Sequence, residues 1–121
     1  MPEVVRVGDK SDEADGFDPT PAEEGAETVF CNGKAVVLLG SKFADQVRKE
    51  DQPVMDEETG EQKVDDEGNP VFKKVVVETK EDIKVTSASS TVFVEGIPIA
   101  RKGDSLSHGS IAEGSDNVFA N

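Results

Sequence analysis

A short β-forming unit is written three times in this chain, and that repetition limits what it can fold into more than any other feature. The copies are Gly25-Ala26-Glu27-Thr28-Val29-Phe30-Cys31-Asn32-Gly33, Ala88-Ser89-Ser90-Thr91-Val92-Phe93-Val94-Glu95-Gly96 and Gly114-Ser115-Asp116-Asn117-Val118-Phe119-Ala120-Asn121. Each opens on a small polar turn and continues into a short strand carrying Val-Phe. In the first two copies a turn follows, Asn32-Gly33 or Glu95-Gly96. Glycine accepts positive φ without steric penalty, so these pairs read as hairpin turns. A second strand-like element comes next, Ala35 to Leu39 and Pro98 to Lys102. The distance from Phe30 to Gly40 and from Phe93 to Gly103 is ten positions in both copies. The same element opens the chain as Glu3-Val4-Val5-Arg6-Val7-Gly8-Asp9. Gly8, Gly40 and Gly103 are followed by Asp9, Ser41 and Asp104, short polar residues that can close a turn onto the backbone.

The two ends fit one register. Asn121 lies two positions after Phe119, and Met1 falls where the third position belongs when counted back from Gly8. The end of the chain thus continues into its beginning, which predicts a closed ring of three units rather than a linear string. A ring leaves few unpaired strand edges, whereas an open sheet of such short strands is a liability. An open β-sandwich with look-alike strands is the competing reading, and the equal spacings weigh against it. The expected fold class is all-β, a small pseudo-threefold cone of short strands and hairpins in a single domain, 1–121.

With 121 residues, 35% hydrophobic and 32% charged, the chain can fill only a small core, and with no Trp or Tyr its six Phe are expected to anchor it. The net charge of -13 excludes the basic footprint of a nucleic-acid binder and disfavours anionic membrane surfaces. The first ten residues contain no apolar core of an export signal, and the run Ala35–Leu39 is too short to span a bilayer. The expectation is synthesis in a cytoplasm. A lone cysteine, Cys31, cannot make an internal disulfide, and its sister positions hold Val94 and Ala120, so it reads as a small core residue. The copies differ between the Gly-Asp-type turn and the Val-Phe strand. In the second copy this segment swells to an acidic insertion, 46–85. There Pro53-Val54-Met55 and Gln62-Lys63-Val64 flank Glu57-Glu58-Thr59-Gly60, and Asp66-Glu67-Gly68-Asn69 precedes Val71-Phe72 and Val75-Val76-Val77. The pattern suggests one or two hairpins projecting from the ring; a mobile acidic loop is the alternative.

Arg6-Val7-Gly8-Asp9, Val29-Phe30-Cys31-Asn32-Gly33-Lys34, Pro98-Ile99-Ala100-Arg101-Lys102-Gly103-Asp104 and the final Gly114–Asn121 segment together resemble the PAAR-repeat family, over roughly residues 3–45 and 86–121. The match to the Pro-Ala-Ala-Arg motif itself is Pro98-Ile99-Ala100-Arg101. The resemblance implies a cone seated on the blunt end of a trimeric β-helical spike, one chain per trimer, in a contractile phage tail (baseplate or virion tip) or a type VI secretion machine. It implies transient contact with a target-cell envelope during membrane piercing, and a structural rather than enzymatic role. A single chain with three near-equivalent faces matches a threefold partner. The repeat positions that carry this reading are Gly8, Asp9, Val29, Phe30, Gly33, Gly40, Val92, Phe93, Gly96, Gly103, Asp104, Val118 and Phe119; which residues contact the spike is left open. The competing function is an acidic protein-binding or adaptor module with no spike role.

The same resemblance implies a metal near the tip, usually zinc on three His and one Cys. This chain has one His, His108 in Ser107-His108-Gly109. Five residues beyond each turn glycine lie Glu13, Asp45 and His108, which would converge under threefold symmetry. Two carboxylates and an imidazole suit a divalent ion, zinc or iron. The alternative, no metal and turns held by hydrogen bonds, stands ahead of it. Gly103-Asp104-Ser105-Leu106 spells a lipase-like tetrapeptide but aligns with Gly8-Asp9-Lys10-Ser11, so the repeat accounts for it. The run Asp65-Asp66-Glu67-Gly68 lacks the alternating spacing of a calcium loop.

Overall fold

Three hydrogen bonds at the centre of the molecule close on one another. The N–H of Val37 donates to the carbonyl of Val5 at 2.9 Å, that of Ala100 to Val37 at 2.9 Å, and that of Val5 to Ala100 at 3.4 Å. The three residues are fully buried, and the antiparallel bridges Val4↔Arg101, Arg6↔Val36 and Leu38↔Ile99 complete a triangle of strands around one axis. The computed structural model describes residues 1–121. Of its 56 backbone hydrogen bonds, 44 lie outside regular strands, so single bridges repeated around the axis hold the ring, not long ladders.

Each copy begins with a hairpin. In the first, β1 (Phe30–Cys31) pairs with β2 (Lys34–Ala35). The arm described below supplies β3 (Gln46–Pro53) and β4 (Phe72–Lys80), and the second repeat hairpin pairs β5 (Phe93–Val94) with β6 (Ile97–Pro98). In both hairpin turns the two central residues have positive φ, 54° and 78° at Asn32-Gly33 and 55° and 76° at Glu95-Gly96. That is the geometry whose twist suits a two-residue hairpin. The third hairpin is made by the two ends of the chain. Phe119 bridges Glu3, the N–H of Ala120 donates to the carbonyl of Pro2 at 2.9 Å, and the N–H of Val4 donates to Val118 at 2.9 Å. The last bond matches Val36 to Val29 at 3.2 Å and Ile99 to Val92 at 3.0 Å. Asn121 and Met1 therefore occupy the two turn positions of the sister hairpins, as the register across the termini predicts.

The core has two layers. Toward the base, Val4, Cys31, Val36, Leu38, Ile99 and Ala120 pack together, with Cys31 a buried, free thiol. Toward the apex, Val5, Val37 and Ala100 meet Phe43, Ile83 and Leu106. The turns after the axis strands share one device. Asp9 and Asp104 each accept the N–H three residues back, from Arg6 at 2.8 Å and Arg101 at 2.7 Å, and the Ser41 hydroxyl accepts that of Leu38 at 3.1 Å. In the two aspartate copies the same carboxylate also receives a two-pronged guanidinium, which holds the arginine against its own turn.

One expectation about the core is corrected. Only Phe17 and Phe43 are buried; Phe30, Phe93 and Phe119 are 59%, 56% and 45% exposed, and Phe72 is 55% exposed. With two-residue strands one side chain faces in and the next faces out. The ring turns Cys31 and Ala120 inward and leaves the neighbouring Phe outside.

The insertion forms a two-stranded arm. Strands β3 and β4 run antiparallel with a bulge at Arg48/Lys49. Beyond Pro53 the chain divides into two lobes, closed by the bridges Met55↔Gln62 and Val64↔Pro70. Val54, Lys63 and Val71 join them through a closed cycle of three backbone bonds (2.9, 2.7 and 2.9 Å), a small version of the triangle at the axis. The lobes carry seven carboxylates, from Asp56 to Glu67, against Lys63 alone. Every residue from Glu57 to Pro70 is exposed, so the arm has no core of its own and depends on its root.

Candidate functional site

Two ends of the axis differ in chemistry. At the base the three repeat phenylalanines stand at equivalent places, each beside a valine: Val29 and Val118 are 39% and 38% exposed, and Val92 is half-buried. Phe30 and Phe119, with Val29, Val92 and Val118, line a shallow apolar depression floored by Ile99. An exposed apolar patch built by a repeat, on a chain this highly charged, marks a contact surface.

Its rim is polar and is sewn together by one clasp per repeat. Asn32 accepts the Ser115 hydroxyl at 2.7 Å and donates from its side-chain amide to Asn117 at 2.9 Å. Ser89 donates its hydroxyl to the Asn121 carbonyl oxygen. Glu95, at the position of Asn32, accepts the Thr28 hydroxyl at 2.6 Å and the N–H groups of Thr28 and Glu27 at 3.1 and 3.3 Å. The hydroxyl bond from Thr28, aided by the two N–H bonds, holds the Glu95 carboxyl below the usual glutamate range. A lowered folded-state value means this clasp contributes fully above the ordinary glutamate range and is lost as pH falls through the lowered value. Acidification is therefore expected to release the 26–28 segment from the Glu95 turn before it releases the Asn32–Ser115 clasp, which contains no titrating group. Amide exchange followed residue by residue against pH reads this directly; equal loosening of both clasps would contradict it, and Glu95→Gln should remove the pH dependence.

At the apex the three copies part company. The last equivalent bonds are Ser11 to Thr20 at 3.0 Å, Phe43 to Ile83 at 2.7 Å and Leu106 to Gly109 at 2.9 Å. The spans so closed are nine, forty and three positions long. The first holds a short 3-10 helix, Ala14–Gly16, the second holds the arm, and the third is the tight turn of His108. Because the spans differ, equal counting from the turn glycines does not bring residues together. Glu13 and Asp45 are exposed and make no side-chain hydrogen bond, and no group of three or more His, Cys, Asp or Glu residues is disposed to hold a metal ion. The Glu13–Asp45–His108 set predicted from spacing is not assembled.

His108 instead meets two residues that counting passes over. Its Nδ1 lies 2.7 Å from Gln46 Oε1 and its Nε2 lies 3.0 Å from Asp15 Oδ2, while Gln46 Nε2 donates to the His108 carbonyl at 3.1 Å. The Phe17 ring stands edge-on to the imidazole, 4.8 Å between centroids at 72°. Gln46 begins β3 and is 1% exposed, an unusual place for an amide, and that burial has no signature in the sequence. Both ring nitrogens of His108 are engaged away from Ser105, so the lipase-like tetrapeptide has no base beside its serine.

A family model described as PAAR motif matches residues 79–121. The match spans the end of the arm, the second hairpin, the axis strand with Pro98-Ile99-Ala100-Arg101 and the final Val-Phe copy. The first copy lies outside it yet makes the same bonds at the same register. No curated protein matches the chain.

Proposed function

We propose, from the match of residues 79–121 to the PAAR-motif family model, that this chain is a non-enzymatic cap seated by its base on a trimeric β-helical spike, one chain per trimer. The family is associated with the spike tips of type VI secretion and related contractile machines. The observation that carries the reading to this chain is the base itself: Phe30, Phe93 and Phe119 stand exposed at equivalent positions of the three hairpins, and Phe30 and Phe119 border an apolar depression. Three separate chains ending in one β-helix present three copies of one surface, and a single chain answers them only by repeating its own surface three times. An apolar centre with a polar rim is the ordinary anatomy of such a contact. The arm is rooted at Gln46 and Lys80 beside the apex turn of His108, and the lobes beyond Pro53 make no backbone hydrogen bond to the base hairpins. The chain would reach its site as part of a phage tail tip or secretion apparatus, with the apex leading toward the target envelope.

The test is mixing with the C-terminal fragment of a trimeric β-helical spike and measuring mass by light scattering. A complex of one chain per trimer is expected. Failure to bind every such spike offered, with the chain folded, would remove this reading in favour of an acidic adaptor module whose contacts lie on the arm.

A further inference from the structure

We infer that the apex of this chain is locked by a metal-independent clasp, Gln46 with His108 and Asp15, which also anchors the root of the arm. The family resemblance implies a tip metal, and the residues present do not fit one. The Gln46 amide nitrogen is committed as a donor to the His108 carbonyl at 3.1 Å, so its oxygen is the acceptor that faces Nδ1 at 2.7 Å. The other ring nitrogen faces a carboxylate oxygen of Asp15 at 3.0 Å. Gln46 takes the Nδ1 side of the ring and the Asp15 carboxylate alone faces Nε2, so no second nitrogen or sulfur ligand stands beside the imidazole. No buried side-chain nitrogen or oxygen in the molecule lacks a hydrogen-bond partner, and no three His, Cys, Asp or Glu side chains are disposed to share an ion.

The same residues tie two apex loops and the arm together. Gln46 is the first residue of β3, His108 belongs to the apex turn of the third copy, and Asp15 lies in the long loop of the first. Phe17, 3% exposed, backs the imidazole, bridges Arg48 across the root, and lies 5.9 Å from the Lys80 ammonium at the end of β4. Asp18 extends this seam through its N–H to the Val47 carbonyl at 2.8 Å and a looser ion pair with Lys49 at 3.7 Å. A two-stranded arm without a core is marginal alone. Its order at the root therefore depends on the clasp.

The experiment uses untagged, full-length protein from cells grown with added zinc and iron. Elemental analysis should find neither metal at one per chain, and a strong chelator should leave the melting temperature unchanged. Gln46→Leu and His108→Ala should each lower the melting temperature by about 5–15 °C, since each leaves a buried polar group unpaired. Both should also speed amide exchange in 46–53 and 72–80. The double variant Glu13→Gln/Asp45→Asn should change neither quantity. If Gln46→Leu does not fold, Gln46→Glu keeps the acceptor toward the ring but loses the donor, and should give a smaller loss of the same kind. One metal per chain whose removal lowers the melting temperature overturns the inference, as does a Glu13/Asp45 variant that behaves like Gln46→Leu. Neither result bears on spike binding by the base, which is measured separately.

Discussion

Replacing Phe30, Phe93 and Phe119 together by serine is expected to abolish capping of a trimeric spike while leaving the chain folded. Each ring is about half exposed in the free protein, so the fold loses little when it is removed. The half still in water is what a partner would cover. Burying the remainder of one Phe contributes about 1 kcal/mol from apolar transfer alone, roughly half the value for a whole side chain. Three give about 3 kcal/mol, a loss of 100-fold or more in affinity. Aromatic anchors at the centre of an interface commonly contribute more than the area suggests. Single variants should weaken binding by similar steps, because the three positions are equivalent around the axis. Phe72→Ser supplies the control: it is 55% exposed, on the arm, and should bind as the parent chain does. A triple variant that still binds at parental strength would place the spike contact elsewhere. If Phe72→Ser were the damaging change, the arm would be the binding element.

Those three phenylalanines also show where sequence reasoning stops. Their repetition was legible, and with it the hairpins, the two turn types and the ring. The register that joins Asn121 to Met1 predicts bonds now seen between Ala120 and Pro2 and between Val118 and Val4. Their exposure was not legible. A large aromatic in a short strand is ordinarily core, and in a two-residue strand alternation does not say which of Phe30 or Cys31 points inward. Only closure of the ring decides that. The apex failed for a different reason. Equivalence by counting holds up to Ser11, Phe43 and Leu106, where backbone bonds still match, and ends where spans of unequal length begin. Past that point Glu13 and Asp45 diverge, and Gln46, one residue beyond Asp45, turns inward to His108. The hairpins of the insertion were legible from their turn residues. The three-way junction of Val54, Lys63 and Val71 was not, since nothing in those residues marks them as partners.

Joining Asn121 to Met1 by a peptide bond, with Met1→Gly, is expected to stabilise the ring strongly without altering it. The residues flanking the ends are already paired as in the other two hairpins: Phe119 bridges Glu3 as Phe30 pairs with Ala35 and Phe93 with Pro98. The ends stand where Asn32-Gly33 and Glu95-Gly96 stand, so a direct bond needs no linker. Glycine is required because the second turn position has φ of 78° and 76° in the sister hairpins. A methionine there would be strained by about 1 kcal/mol. Closing a loop of more than a hundred residues removes unfolded-state entropy equivalent to about 5 kcal/mol in the chain-entropy account. For a domain of this size that corresponds to a rise in melting temperature of about 10–20 °C. The cyclic chain that keeps Met1 should gain a few degrees less. Reopening the cyclic chain between Asn32 and Gly33 should return the melting temperature close to that of the linear parent, since the three hairpins are interchangeable as places for the ends. A cyclic protein that gains nothing, or folds only when several linker residues are added, would mean that the third hairpin is not closed in solution. The base would then present two hairpins and a gap to its partner, and the threefold match on which capping depends would be lost with it.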